Sequence, residues 1–195
     1  MGTTEAGAVP MNSRDQFYFE YGAAMAAWAF VESELCTLFI SFTQIPPALA
    51  TSIFYSVNAF EARARIFESA IEHSTLDEKA KEYFEAVIAK AKSLSQFRNK
   101  LAHDLMVDKS LSEHFLVPGR SQFQNDAVKA EAMLKAVSIE DIKAGRKHFD
   151  QLAAHMFHYW AARLTRDLSS LETLPALVAA IPNPAHTRPH FPTNK

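Results

Sequence analysis

Apolar residues recur at alternating intervals of four and three from Phe17 through Tyr21, Ala24, Trp28, Val31, Leu35 and Leu38 to Phe42, the pattern of a long helix with one continuous packing face. Its start is predicted near Ser13 or Asp15. Ile45-Pro46-Pro47 breaks the pattern, because a residue before proline disfavours the α region while proline suits the first turn of a new helix. A second helix is expected from there. Its apolar series is Ile53, Val57, Phe60, Ala64, Phe67 and Ile71, with Glu61, Arg63, Arg65 and Glu68 turned away. It should end near His73-Ser74, and the short connection predicts that it runs antiparallel to the first.

Thr75-Leu-Asp-Glu78 has capping-box spacing and announces a third helix to about Ala102. Ala80, Tyr83, Phe84, Val87, Ala91, Leu94 and Leu101 form its apolar line, and Arg98 falls on that same side. From Leu105 to Ser138 the helical period is lost. Leu105-Met-Val and His114-Phe-Leu-Val117, followed by Pro118-Gly119, predict a hairpin or an irregular excursion. Helicity resumes at Ser138-Ile-Glu-Asp141, with Ile142, Phe149, Leu152, Met156, Tyr159 and Leu164 as core face, to about Leu171. Prolines 175, 182, 184, 189 and 192 argue against regular structure after Leu174, although Leu177, Val178 and Ile181 are suited to dock on the body.

This pattern predicts an all-α fold, an up-and-down four-helix bundle with an irregular or hairpin-containing insertion between its third and fourth helices. The expected organisation is a flexible N-terminus over 1–12, a single helical domain over 13–171 with the insertion at 105–137, and a Pro-rich tail over 172–195. A net charge of −2 gives no global attraction to nucleic acid or acidic membranes, so any polyanion must meet a local patch. One such patch is the third helix, where Lys79, Lys81, Lys90, Lys92, Arg98 and Lys100 against Glu82 and Glu85 give about +4. Most of those lysines read as an ordinary solvated face; Lys100 adjoins more interesting chemistry.

The single cysteine, Cys36, reads as a small buried hydrophobe, and nothing in the composition asks for an oxidising compartment. With no basic and apolar leader at Met1, a cytoplasmic location is expected. The window 21–42 is apolar enough to cross a bilayer, but Glu32 and Glu34 favour a buried helix, so no membrane partner is expected. The two glutamates diverge on a helix and read as surface residues. His148, His155 and His158 lie near one helical face among aromatic residues and read as packing or interface histidines. No histidine has Glu three residues before it, and no Gly-rich phosphate loop or nucleophile elbow occurs. Neither a metal nor a cofactor is expected.

The chemistry concentrates in Gln96-Phe-Arg-Asn-Lys-Leu-Ala-His-Asp104, at a helix end beside a break in periodicity. Arg98 offers a planar fork for a phosphate, and His103 can exchange a proton near neutral pH. Asn99, Lys100 and Asp104 are the adjoining candidates for substrate binding; Asp104 could equally begin a turn, and Asn99 could merely cap a carbonyl. In an unbroken helix, positions five apart diverge by roughly 140° and lie about 7.5 Å apart along the axis. Either the helix unwinds before His103, or two protomers pair about a two-fold axis and share one cleft; the second is favoured.

Arg98-Asn99-Lys-Leu-Ala-His103 resembles the Arg-x4–6-His signature of HEPN domains, in which Asn often follows the Arg directly. Helix pattern extends the resemblance over 15–171, while only the short motif is specific, and the long segment between Asp104 and Ser138 departs from a minimal bundle. The resemblance implies an all-α bundle and, in many members, a metal-independent endoribonuclease acting as a homodimer, among them toxins and antiviral nucleases. It implies that Arg98 stabilises the scissile phosphate, that His103 moves a proton at the ribose 2′-hydroxyl, that Asn99 orients or binds, and that a 2′,3′-cyclic phosphate is released. Single-stranded RNA is the expected substrate, since its bases and hydroxyls are readily splayed on a protein surface. The alternative is a non-catalytic helical dimer that binds a nucleotide or a protein partner such as a nucleotidyltransferase antitoxin.

Overall fold

The computed structural model describes residues 12–119, 121, 126–165 and 173–183. The chain is mainly helical, with α1 (Ser13–Thr43), α2 (Pro47–Phe54), α3 (Phe60–Glu72), α4 (Glu78–His103), α5 (Asp126–Leu134), α6 (Ile139–Thr165) and α7 (Leu174–Ala180). One antiparallel ladder, β1 (Asp104–Asp108) with β2 (His114–Pro118), lies between α4 and α5. The all-α reading therefore holds at the level of class, with the hairpin inside the expected insertion, while α5, which lies in the same segment, corrects the expectation that helical structure is lost from Leu105 to Ser138.

Local chemistry fixes the helix ends. Asn12 Oδ1 accepts the Asp15 N–H at 2.8 Å to open α1, and Gln44 closes it in the left-handed region at φ 57°. At α4 the cap is Asp77, whose carboxylate accepts the Ala80 N–H at 2.8 Å, two residues later than the Thr75 capping box predicted. Ser138 and Asp141 bond reciprocally at the head of α6: the Asp141 N–H donates to Ser138 Oγ, and the Ser138 N–H to Asp141 Oδ2.

The expected second helix is two helices. Tyr55 and Ser56 end α2 by donating back to Thr51 and Ile53 carbonyls, and Arg63 reaches back to give Nε to the Val57 carbonyl at 3.0 Å. Arg63 also donates Nη1 to Glu32 at 2.8 Å and stacks on Tyr55, so neither Arg63 nor Glu32 takes the outward position expected of it. The break sets direction. Phe54 meets Phe39 and Tyr55 meets Glu32, so α2 runs back along α1. Phe60 then meets Trp28 and Phe67 meets Phe42, so α3 advances with α1. Phe84 on Phe42, and Phe97 on Phe149, make α4 the opposed helix, while Arg146 at Glu20 and Phe149 on Trp28 make α6 parallel to α1. The antiparallel second helix of the sequence reading is thus confined to the short α2.

The core lies between α1, α3, α4 and α6, where Trp28, Phe67, Tyr83, Phe84, Phe149 and Leu94 are fully buried. Each such side chain contributes about 1.5–3 kcal/mol by leaving water. The segment after Leu174, expected to lack regular structure, forms α7, because Pro175 sits in the first helical turn where its missing N–H costs nothing. Leu174, Val178 and Ile181 are buried against the body while Leu177 is half exposed, and Lys90 Nζ donates to the Ile181 carbonyl at 2.7 Å. The expected helix end near Leu171, the N-terminus before residue 12 and the tail beyond 183 lie outside the described residues.

Candidate functional site

Helix α4 continues unbroken through His103, where the Asp104 N–H still donates to the Lys100 carbonyl. The helix does not unwind before the histidine, so Arg98 and His103 of one chain project on different sides, as ideal geometry requires. Periodicity instead pairs Asn99 with His103 and Lys100 with Asp104, each four apart and therefore neighbours on the helix surface. Gln96, Asn99 and His103 form an exposed row; Lys100 and Asp104 are half-buried beside it.

Arg98 occupies the next face inward and is half-buried. Its Nη1 donates to Asn99 Oδ1 at 3.3 Å, which turns the end of the guanidinium towards the row that carries His103. Its Nε is buried and has no hydrogen-bond partner among the described residues. A buried donor left unmade costs about 1–3 kcal/mol, so packing alone does not explain an arginine here.

The flank of the site is electrostatically coupled. Burial pushes the Asp104 carboxyl above its usual range, with the Lys100 and His103 charges acting the other way. Burial likewise pushes the Lys100 ammonium down, opposed by Asp104 and Asp141 and assisted by Lys135. Asp141, nearly fully buried in the first turn of α6, is a further contributor, and its approach to Lys100 depends on how α6 packs on α4.

The hairpin frames the helix end. Asp104 pairs with Pro118 at its base, and Gly119 lies against Leu105 and the His103 carbonyl, where an added Cβ would sit 3.6 Å from that oxygen. Leu116 exchanges both backbone hydrogen bonds with Val137, which ties β2 to the start of α6. The chain matches no protein-family model, no curated protein and no solved structure. What the site can do therefore rests on its own geometry.

That geometry brings Arg98, Asn99, Lys100, His103 and Asp104 to one helix end: a fork donor, a neutral acceptor that orients it, an exposed imidazole and a half-buried cation. Such a set suits an oxyanion ester. Among the described residues no three His, Cys, Asp or Glu side chains gather to hold a metal ion. His148 and His155 lie apart on α6, their imidazoles pushed down by burial first and by Lys147 and Lys90, or His158, second. Cys36 is buried, and burial pushes its thiol up.

Proposed function

We propose that the protein is a metal-independent endoribonuclease of HEPN type that works in the cytoplasm as a homodimer, with Arg98 and His103 of both chains lining one cleft. The observation that carries this reading is the Arg98–Asn99 contact beside an exposed His103 at the end of an unbroken helix. A phosphodiester of single-stranded RNA lies against the guanidinium fork, which holds the charge that builds on the non-bridging oxygens. One His103 accepts the 2′-hydroxyl proton as that oxygen attacks phosphorus; the partner's His103 gives a proton to the departing 5′-oxygen. The products are a 2′,3′-cyclic phosphate and a 5′-hydroxyl. Lys100 attracts the backbone, and Asn99 keeps the fork turned to the cleft.

The divergence of Arg98 and His103 within one chain is what a second copy resolves. A face suited to that copy exists on α1, where Tyr18, Phe19, Gly22, Ala26, Ala29 and Phe30 are exposed. The only charge between Gln16 and Val31 is Glu20, which is buried. Phe19 and Phe30 lie equidistant from the Ala24–Met25 bond, so an antiparallel two-fold pair sets each phenylalanine against the other. Gly22, with nothing within 4 Å of an added Cβ, leaves room between them.

The test is end-labelled single-stranded RNA in EDTA with wild type, Arg98→Ala and His103→Ala at several protein concentrations. Cleavage lost in both variants, with a cyclic-phosphate product, supports the reading. Intact RNA with wild type, or equal cutting by the variants, overturns it and leaves the face as a binding surface for a protein partner.

A further inference from the structure

We propose a second reactive centre in this protein, a Ser13–His114–Asp108 site that transfers acyl groups from small activated carboxylic esters to water. Ser13 Oγ lies 3.2 Å from His114 Nε2, and His114 Nδ1 lies 2.7 Å from Asp108 Oδ1. A nucleophile, a base and a carboxylate that orients the base thus stand in hydrogen-bonded series, a relation defined by geometry and not by order along the chain.

The fold fixes each member. Asp108 and His114 are directly opposed across the β1–β2 ladder, which holds the carboxylate on the imidazole. The imidazole is 4% exposed and meets the Phe17 ring edge-on at 6.1 Å, so its plane is set by packing. With Asp108 accepting from Nδ1–H, the tautomer assigned by these partners leaves the Nε2 lone pair facing Ser13. The Ser13 hydroxyl also lies within donating distance of the Leu111 carbonyl at 3.1 Å, so that oxygen and His114 Nε2 are two acceptors at nearly equal distance from Oγ. Ser13 is the first residue of the 31-residue α1, which puts the positive end of that helix dipole at the nucleophile, where it favours charge developing on a carbonyl oxygen against the opposing charge of Asp15 in the same turn.

The step balances without a cofactor. Oγ bonds to the ester carbonyl carbon as its proton moves to Nε2; the C–O bond to the alcohol breaks, and the alcohol leaves with that proton. Water then attacks the acyl carbon, gives its proton to Nε2, and Ser13 departs protonated. Leu111, fully exposed in the turn whose carbonyl touches the hydroxyl, offers apolar surface to a short acyl chain. Asp108 acts through His114 and is a positioning residue. The centre lies at the far end of the hairpin from Asp104, about 13 Å along β1, and is independent of the ribonuclease reading.

The experiment treats full-length protein with an alkyl fluorophosphonate, which a reactive serine displaces with loss of fluoride, and follows 4-nitrophenyl acetate hydrolysis in parallel. The expected result is one adduct, mapped to Ser13, absent in Ser13→Ala and His114→Gln. Asp108→Asn should label at least about tenfold more slowly, and Asp108→Glu should recover part of the rate. Should the buried His114 variant fail to fold, the half-exposed Asp108 pair still decides. Ser13→Ala should cut RNA as wild type does. No adduct at Ser13, or equal labelling of wild type and folded Asp108→Asn, overturns the proposal.

Discussion

Arg98 Nη1 donates to Asn99 Oδ1 at 3.3 Å while Arg98 Nε is buried with no partner among the described residues. The side chain is therefore aimed at one end and unsatisfied at its middle. Arg98→Met keeps the apolar stem and removes the orphan donor, so the variant should be as stable as wild type or more stable by up to about 1 kcal/mol. Its RNA cleavage should fall to background. Urea denaturation beside the cleavage assay checks both; a large stability loss would mean that Arg98 is a structural residue.

Burial raises the Asp104 carboxyl above its ordinary range against the pull of Lys100 and His103. The folded state thus holds that proton more tightly than the unfolded chain, and the stability this brings is present at acid pH and lost as pH rises through the folded value. Asp104→Asn removes the loss. Denaturation at about pH 3 should find the two proteins alike in this respect, and by about pH 7 the variant should be ahead. Parallel profiles would show that the carboxyl is not desolvated as described.

Gly145 on α6 has the Phe97 ring of α4 where a Cβ would stand. Alanine gains about 1 kcal/mol in helix propensity, but overpacking a filled core costs about 1–3 kcal/mol and requires α4 and α6 to separate. Gly145→Ala should therefore be net destabilising in thermal or urea unfolding. Phe97→Leu in the same chain should recover part of the loss, a coupling that a double-mutant cycle measures.

Phe30 is two-thirds exposed on the uncharged face of α1. Phe30→Glu sets two carboxylates near two phenylalanines across the proposed pair. Light scattering after gel filtration should show wild type as a dimer and the variant as a monomer, with unfolding stability of the monomer changed by less than about 0.5 kcal/mol. Cleavage should fall with dimerisation. A variant that stays dimeric would move the interface elsewhere.

Much of this was legible in the chain itself. The stripe from Phe17 to Phe42, the proline break at 45–47, the helix reaching to the end of the Arg98–His103 segment and the hairpin signals at 105–118 each follow from local rules: period, cap and turn chemistry act over a few residues, so the sequence carries them. The same rules brought Arg98, Asn99, Lys100, His103 and Asp104 to one helix end. They failed where distant groups compete with local preference. Arg63 bonding Val57 and Glu32 marks the split of the second helix and the turn that sets α3 running with α1, and α7, whose first-turn proline costs nothing locally, is held to the body by its buried apolar face and by Lys90.

Asp141 beside Lys100, the orphaned Nε of Arg98 and the Ser13–His114–Asp108 series were decided by tertiary structure alone. Burial and partnership depend on which surfaces meet after the chain has closed loops of tens of residues, and no local pattern encodes that meeting. The sequence determined the long helices, the hairpin and where the Arg98–His103 segment falls; only packing decided where the second helix breaks, which atoms of that segment are covered, which are turned outward and which distant residues share their field.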